Sequence, residues 1–346
     1  MKENKRRARL IYNPSSGQEI MKKNVADVLE KLESFGYEAS AFQTKIDSKS
    51  AEKEAKRATL AGFDLIVVAG GDRTINEVVS GIAEFKKRPQ LAIIPTGTTN
   101  DFARALKIPR NNPVAAVEII GKHQTLNIDV GQAITADKES KFFINIAAGG
   151  ALTELTYSVP SNLKTMFGYL AYLSKGAELL PRVKSEKVRV KYDDGIFEGK
   201  ISMFFVALTN SVGGFEKIAP DAKLDDGQFT LILVKTDDFF SLLALLGMVA
   251  NGSGKHVNDI NVEYIKSSHI EIEPLERNRP TLINLDGEFG GEAPVKFKNL
   301  KNHIEMFVNL DEINDEHYIG DEESLALEAV AQKFAKEAGR VQNETL

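Results

Sequence analysis

The sequence predicts a two-part α/β protein, with an N-terminal domain on a parallel sheet and a β-rich, sandwich-like second domain. Three observations carry this expectation. Through the first third of the chain, short apolar runs alternate strictly with stretches of helical spacing, the pattern of strands and crossover helices. From Leu126 to about Val308 strand patterns dominate, interrupted by helical stretches only near 163–180 and 238–250. At 346 residues the chain is also longer than one hydrophobic core usually organises. The divisions expected are 1–130, 131–302 and a segment 303–346 that returns to the first domain and ends in an acidic helical tail.

The elements follow in order. Arg9-Leu-Ile-Tyr12 reads as a strand and Asn13-Pro-Ser-Ser-Gly17 as a turn. Val25, Val28, Leu29, Leu32 and Phe35 then recur at helical spacing, with Gly36 at the position a helix-ending residue takes. Tyr37–Phe42 is a second strand with Thr44 just beyond it, and Ala51–Leu60 is a helix ended by Gly62. Leu65–Ala69 is apolar throughout, as in a strand buried on both faces. Gly70, Gly71 and Asp72 break it, and Ile75, Val78, Val79 and Ile82 return to helical spacing. Gln90–Ile94 is a fourth strand, stopped by Pro95-Thr-Gly-Thr-Thr-Asn-Asp101, and Phe102–Leu106 opens another helix. In the second half, Asn127–Val130, Phe142–Ile146, Val188–Tyr192, Met203–Leu208, Phe229–Val234, Ile270–Ile272, Thr281–Leu285 and Ile304–Val308 read as strands. Asp194-Gly195 is a hairpin signal, and Leu325–Lys336 reads as a tail helix.

Composition narrows the function. Net charge is −5, so no global field draws the chain to nucleic acid. There are no cysteines, which excludes disulfides, thiolate chemistry and cysteine zinc sites and is compatible with the cytoplasm. The longest apolar run, Phe239–Ala250, is too short for a membrane span of about 20 residues. The start, Met1–Arg9, is basic. No G-x-x-x-x-G-K-[ST] loop, no G-x-G-x-x-G turn and no G-x-S-x-G elbow is present, and Gly252-Ser-Gly-Lys255 lacks the spacing of the first. The five histidines are scattered.

Three polar loops (13–17, 70–74 and 95–101) follow strand C-termini, the edge at which open α/β sheets bind ligands. At Gly70–Asp72, backbone N–H groups and a positive helix end face one spot, which suits phosphate. Asp72 beside it is suited to a metal or to water on a bound nucleotide. The same spacing also fits an ordinary βα turn with glycines for tight geometry. By themselves Asp286-Gly-Glu288 and Asp225-Asp-Gly227 read as turns with surface acids.

Five segments together reach a family. Asn13-Pro-Ser-Ser-Gly17, Gly70-Gly-Asp-Arg-Thr-Ile-Asn-Glu77, Pro95-Thr-Gly-Thr-Thr-Asn-Asp-Phe-Ala-Arg104, Ala219-Pro-Asp-Ala-Lys-Leu-Asp-Asp-Gly227 and Leu285-Asp-Gly-Glu288 keep the order seen in diacylglycerol kinase catalytic-domain proteins. Over roughly residues 7–310 the chain resembles the soluble bacterial members of that family. The resemblance implies an ATP-dependent lipid kinase whose first domain binds nucleotide and whose acceptor is diacylglycerol at the membrane surface. Asn13, Pro14, Ser15, Ser16 and Gly17 would line the nucleotide site, with Thr44 near the adenosine and Thr98 in contact with the nucleotide. Gly70, Gly71, Asp72, Arg73, Thr74, Ile75 and Asn76 would wrap the phosphates, and Asp72 and Asp101 would organise catalytic Mg²⁺ and water. A second Mg²⁺ would sit on the Lys223 carbonyl, the Asp226 carboxylate and the Gln228 backbone. Glu288 would be the base that takes the lipid hydroxyl proton. The protein would be cytoplasmic and peripheral to the membrane, helped by the basic start and the apolar residues near Met166–Leu173. Kinases of this kind often pair as homodimers, an expectation the resemblance alone carries.

One position departs from the pattern. The family's loop is Gly-Gly-Asp-Gly-Thr, and Arg73 stands at its fourth residue. Glycine at such a place serves a positive φ, which costs another residue about 1–2 kcal/mol, or a close approach to ligand. The arginine is expected to lower turnover, by strain, by filling the phosphate space or by pairing with phosphate. The rivals are a kinase of another acceptor (a sphingoid base or NAD, whose kinases share a Gly-Gly-Asp loop) and a nucleotide- or lipid-binding protein without turnover.

Overall fold

In a computed structural model of the chain, residues 5–45, 49–110, 112–150, 185–212, 215–216, 219, 222–236, 241, 245, 259–276 and 280–313 are described, and every structural statement below concerns these. The helical stretches expected at 163–180, 238–250 and Leu325–Lys336 lie, wholly or nearly so, outside them.

The first domain alternates as its apolar spacing requires: β1 (Arg6–Tyr12), α1 (Ile20–Ser34), β2 (Tyr37–Gln43), α2 (Ser50–Leu60), β3 (Leu65–Gly70), α3 (Asp72–Ala83), β4 (Gln90–Pro95), α4 (Asp101–Ala105) and α5 (Pro113–Gly121). Strands β2, β1, β3 and β4 pair in parallel in that order. Every residue of β3 is buried, because helices cover both faces of the sheet. Gly36 and Gly62 take φ of +85° and +71° just past α1 and α2, the left-handed geometry that ends a helix at low cost in glycine. Helix α5 has a start signal of its own: the Asn112 side chain accepts from the Ala115 N–H, and Pro113 occupies the first turn.

Strand β1 begins at Arg6, three residues earlier than its apolar run suggests, and Arg6, Arg7 and Arg9 are engaged within the fold. The Arg6 guanidinium lies over the Tyr37 ring, Arg7 lies over Phe63 and donates to the Ala61 carbonyl, and Arg9 pairs with buried Glu54 at 2.6 Å.

The second half is antiparallel. In chain order it holds β5 (Thr125–Ile134), β6 (Ser140–Phe143), β7 (Ile146–Gly150), β8 (Glu186–Tyr192), β9 (Gly195–Ile201), β10 (Met203–Ala207), β11 (Ser211–Val212), β12 (Phe215–Glu216), β13 (Phe229–Val234), β14 (Val262–Ser267), β15 (His269–Pro274), β16 (Leu282–Leu285), β17 (Glu288–Glu292) and β18 (Val295–Phe307), with α6 (Leu310–Ile313) at the end. One sheet, ordered β14-β13-β10-β7-β16-β17, faces β18, β15, β8 and β9, which extend the first domain's sheet. Between the two faces lies a core containing Phe143, Val190, Phe204, Leu231, Ile272 and Phe297, so the second domain is a sandwich. Strand β18 links the halves. It pairs in parallel with β4 through Met306 and Leu91, and antiparallel with β5 and β15. The boundaries expected at 130 and 302 therefore fall inside single strands, β5 and β18, shared by both parts.

The segment Phe142–Ile146 was expected as one strand and is two. The N–H groups of Ile144, Asn145 and Ile146 donate to the Asp286 carboxylate instead of a neighbouring strand, which breaks the ladder between β6 and β7.

Candidate active site

The loops after β1, β3 and β4 meet at one sheet edge because glycines let their backbones touch. A methyl group on Gly97 would lie 2.5 Å from the Gly71 Cα, and one on Gly17 would lie 2.3 Å from the Thr96 carbonyl oxygen. Gly17 also has a φ of +54°. The seam is sewn by backbone bonds: Asn13 N–H donates to the Ala69 carbonyl (2.9 Å), Thr96 N–H to Gly70 (3.0 Å) and Thr44 N–H to Tyr12 (2.9 Å). Ser16 Oγ adds a bond to the Thr96 carbonyl at 2.8 Å. Asn13, Pro14, Ser15, Ser16, Gly17, Thr44, Gly70, Gly71 and Thr98 thus share one edge, and Ser15 and Thr98 are exposed there. Gly97→Ala is expected to force the second and third loops apart, with an overpacking cost of about 1–3 kcal/mol. Calorimetric titration with Mg-ATP should show a loss of nucleotide affinity of tenfold or more, and unchanged affinity would refute the close-approach account.

Helix α3 starts on Gly71, which is extended, and aims its first N–H groups at this edge. Its residues divide by direction. Thr74 and Ile75 turn inward, Ile75 being fully buried with its N–H donated to the Gly71 carbonyl, so the Ile75 side chain belongs to the core rather than to a phosphate loop. Asn76 faces the second domain, donating to the Phe142 carbonyl (3.0 Å) and to the Asp286 carboxylate (2.8 Å). Asp72 points at α4, where it accepts from the Phe102 N–H at 3.4 Å. Burial, reinforced by the charges of Asp101 and Asp286, pushes the Asp72 carboxyl up to about 7. Neighbouring negative charge and little water both favour a proton, or the charge of a cation, at Asp72.

Across the cleft, Asp286 and Gly287 both have positive φ, +49° and +91°, the pattern of a tight two-residue hairpin turn between β16 and β17. The Asp286 carboxylate accepts from three backbone N–H groups and the Asn76 amide. Burial holds its carboxyl above the ordinary carboxylate range, although those donors offset part of the rise. This turn fixes Glu288 as the first residue of β17, exposed and opposite the start of α3. Arg73 reaches it: its Nε lies 3.7 Å from Glu288 Oε1 and 3.4 Å from Glu77 Oε1. A cavity of about 450 Å³ opens here, lined among others by Arg73, Glu77, Phe142, Leu285, Glu288 and Phe289.

The sequence assigns no role to Asp286, Asp129 or Phe289. Asp129, in β5, is buried; its carboxylate accepts from the N–H of Gly227 (2.6 Å) and of Asn302 (2.8 Å), while its N–H donates to the Leu224 carbonyl. That carboxylate shapes the 223–228 loop, where Asp226 Oδ1 accepts from the Gln228 N–H at 2.9 Å. The Lys223 carbonyl, the second Asp226 oxygen and the Gln228 carbonyl are all hard oxygen donors with one full charge, a set that fits Mg²⁺ with waters completing it. Among the described residues no group of three or more His, Asp or Glu side chains is placed to hold a metal together. The clue to Asp286 was its Asp-Gly turn signal; Asp129 and Phe289 carry no local pattern that marks them.

Two family descriptions match the chain: "Diacylglycerol kinase catalytic domain" over residues 7–133 and "YegS C-terminal NAD kinase beta sandwich-like domain" over residues 155–308. A diacylglycerol kinase of Bacillus subtilis is 48% identical over 301 residues, covering 87% of this chain and 96% of that protein. One from Staphylococcus epidermidis is 45% identical over 312 residues, covering 90% and 95%. The crystal structure of a diacylglycerol kinase from Bacillus anthracis superposes with a TM-score of 0.67 at 25% identity, covering 89% of this chain and 98% of that one. Among the described residues no helix is long and apolar enough to cross a membrane.

Proposed function

The chain belongs to the diacylglycerol kinase family, and from that premise we propose that it transfers the γ-phosphate of ATP to the free hydroxyl of diacylglycerol, giving phosphatidic acid and ADP. The observation that carries the reading is the hairpin turn at Asp286–Gly287, which holds Glu288 opposite the phosphate-binding start of α3. The nucleotide takes the seam of Asn13–Gly17, Gly70–Thr74 and Thr98, with Thr44 beside the adenosine. Backbone N–H groups at α3 meet its phosphates. The acceptor oxygen attacks the γ-phosphorus as the bond to ADP breaks, and Glu288 takes the hydroxyl proton.

Bound Mg²⁺ supplies positive charge to the phosphate oxygens. Asp72 and Asp101 would hold one ion and its water, and the Lys223 carbonyl, Asp226 carboxylate and Gln228 backbone would hold a second. Arg73 lowers turnover. Its backbone is helical, so the left-handed strain that glycine would relieve does not arise, and the cost comes from its side chain alone. On this reading the protein works in the cytoplasm and meets its acceptor at the membrane surface.

The test is transfer of ³²P from the γ-position of ATP to diacylglycerol in detergent micelles with Mg²⁺, beside Arg73→Gly. Labelled phosphatidic acid is expected from both forms, and more from the variant. No transfer from either form, with a sphingoid base or NAD labelled instead, would reassign the acceptor. ATP binding without transfer to any acceptor would make it a binding protein.

A further inference from the structure

Arg73 joins the two sides of the cleft. Its guanidinium lies between Glu77, one turn along α3, and Glu288 on β17. The other Glu77 oxygen accepts from the Ala51 N–H at 3.2 Å, in the first turn of α2, which follows the Thr44 loop. A chain of polar contacts thus runs from α2, through Glu77 and Arg73, to Glu288. Arg73 is 58% and Glu288 55% exposed, so water competes for both, and an ion pair of this kind shifts an equilibrium by no more than about fivefold. A polyphosphate is a stronger partner: it offers arginine paired oxygens and more charge than one carboxylate. Arg73 sits in the first turn of α3, where the phosphates of a nucleotide arrive on the kinase reading.

We propose that Arg73 is an exchangeable clasp that makes acceptor binding depend on nucleotide. Without nucleotide, the guanidinium holds Glu288 and covers the acceptor side of the cavity. With nucleotide, it moves to the phosphates, and Glu288 exchanges the guanidinium contact for a hydrogen bond from the diacylglycerol hydroxyl. The two substrates then bind with positive coupling, nucleotide first, and by linkage each raises the affinity for the other by the same factor. With glycine at position 73 this coupling is absent and the order is random. Arg73 is a positioning residue in this scheme, and the scheme rests on the kinase reading above.

The test is co-sedimentation of the full chain with phosphatidylcholine vesicles containing diacylglycerol, with and without Mg²⁺ and a non-hydrolysable ATP analogue. Vesicles without diacylglycerol give the background. The analogue is expected to tighten wild-type binding three- to fivefold. Arg73→Gly is expected to bind equally with and without it, at the affinity of the loaded wild type, and Arg73→Lys to keep part of the coupling. Backbone amide exchange in β17 of the free protein should be slower in the wild type than in Arg73→Gly. Equal enhancement in wild type and Arg73→Gly, or none in either while both transfer phosphate, overturns the clasp and leaves the kinase reading standing. Failure of every form to bind the analogue or to transfer phosphate overturns both.

Discussion

Glu288→Ala is expected to lower kcat for phosphoryl transfer by 10²–10⁴-fold, the usual contribution of a positioned general base. The Michaelis constant for ATP should not rise, because Glu288 stands on β17, apart from the loops that meet at the nucleotide edge; loss of the Arg73–Glu288 pair should instead lower it by up to about fivefold. The fold should be indifferent, since the side chain is exposed and surface substitutions of this kind stay within about 0.5 kcal/mol. The same substitution in the Arg73→Gly background separates two roles. There the clasp is already gone, so any remaining loss is loss of the base. A steady-state assay in micelles reads both constants, and a rate within fivefold of the parent in that background would remove Glu288 from the chemistry. Asp286 would then be the next carboxylate to consider, although its oxygens already accept from three backbone N–H groups and an amide.

The parts of this site legible in the sequence are those whose chemistry is local. The apolar run Leu65–Ala69 followed by two glycines specifies a buried strand, a turn and a helix start, because each depends only on neighbouring residues. The Asp-Gly pair before Glu288 likewise fixes a hairpin turn by itself. What was not legible depends on partners far along the chain. Gly97 is needed because Gly71 lies against it, and nothing near position 97 states that. The break at Ile144–Asn145 is imposed by a carboxylate about 140 residues later, overriding an apolar run that otherwise reads as one strand. Arg73 is conspicuous against the family pattern, and of the three effects open to it, strain, filling of the phosphate space and pairing with phosphate, only strain is removed by the fold. Helix α3 already starts at Asp72, so position 73 has helical backbone, and the effect of the residue lies in where its guanidinium reaches.

Asp72→Asn is expected to stabilise the protein above neutral pH while abolishing transfer. Burial and two neighbouring carboxylates raise the Asp72 carboxyl from 3.8 to about 7 in the fold. The folded chain therefore binds a proton that the unfolded chain has lost over that interval, and stability falls as pH rises from about 4 to 7. Below 4 both states hold the proton and the group contributes nothing. Above 7 the folded state bears the full penalty, on the order of 4 kcal/mol for a rise of that size. Asparagine keeps the shape and can still accept from the Phe102 N–H, but it has no charge to desolvate. Urea unfolding should find the variant 2–4 kcal/mol more stable at pH 8 and nearly equal to wild type at pH 4; equal differences at both would refute the account. Crowded acids that the fold would be more stable without are explained if a cation offsets them. Removing Asp72 should therefore also weaken Mg²⁺ binding, and that binding should strengthen in the wild type as pH rises through 7, because the ion displaces the proton. Carboxylates that weaken the empty fold and strengthen the loaded one are an arrangement in which stability is given up for a charge-binding site.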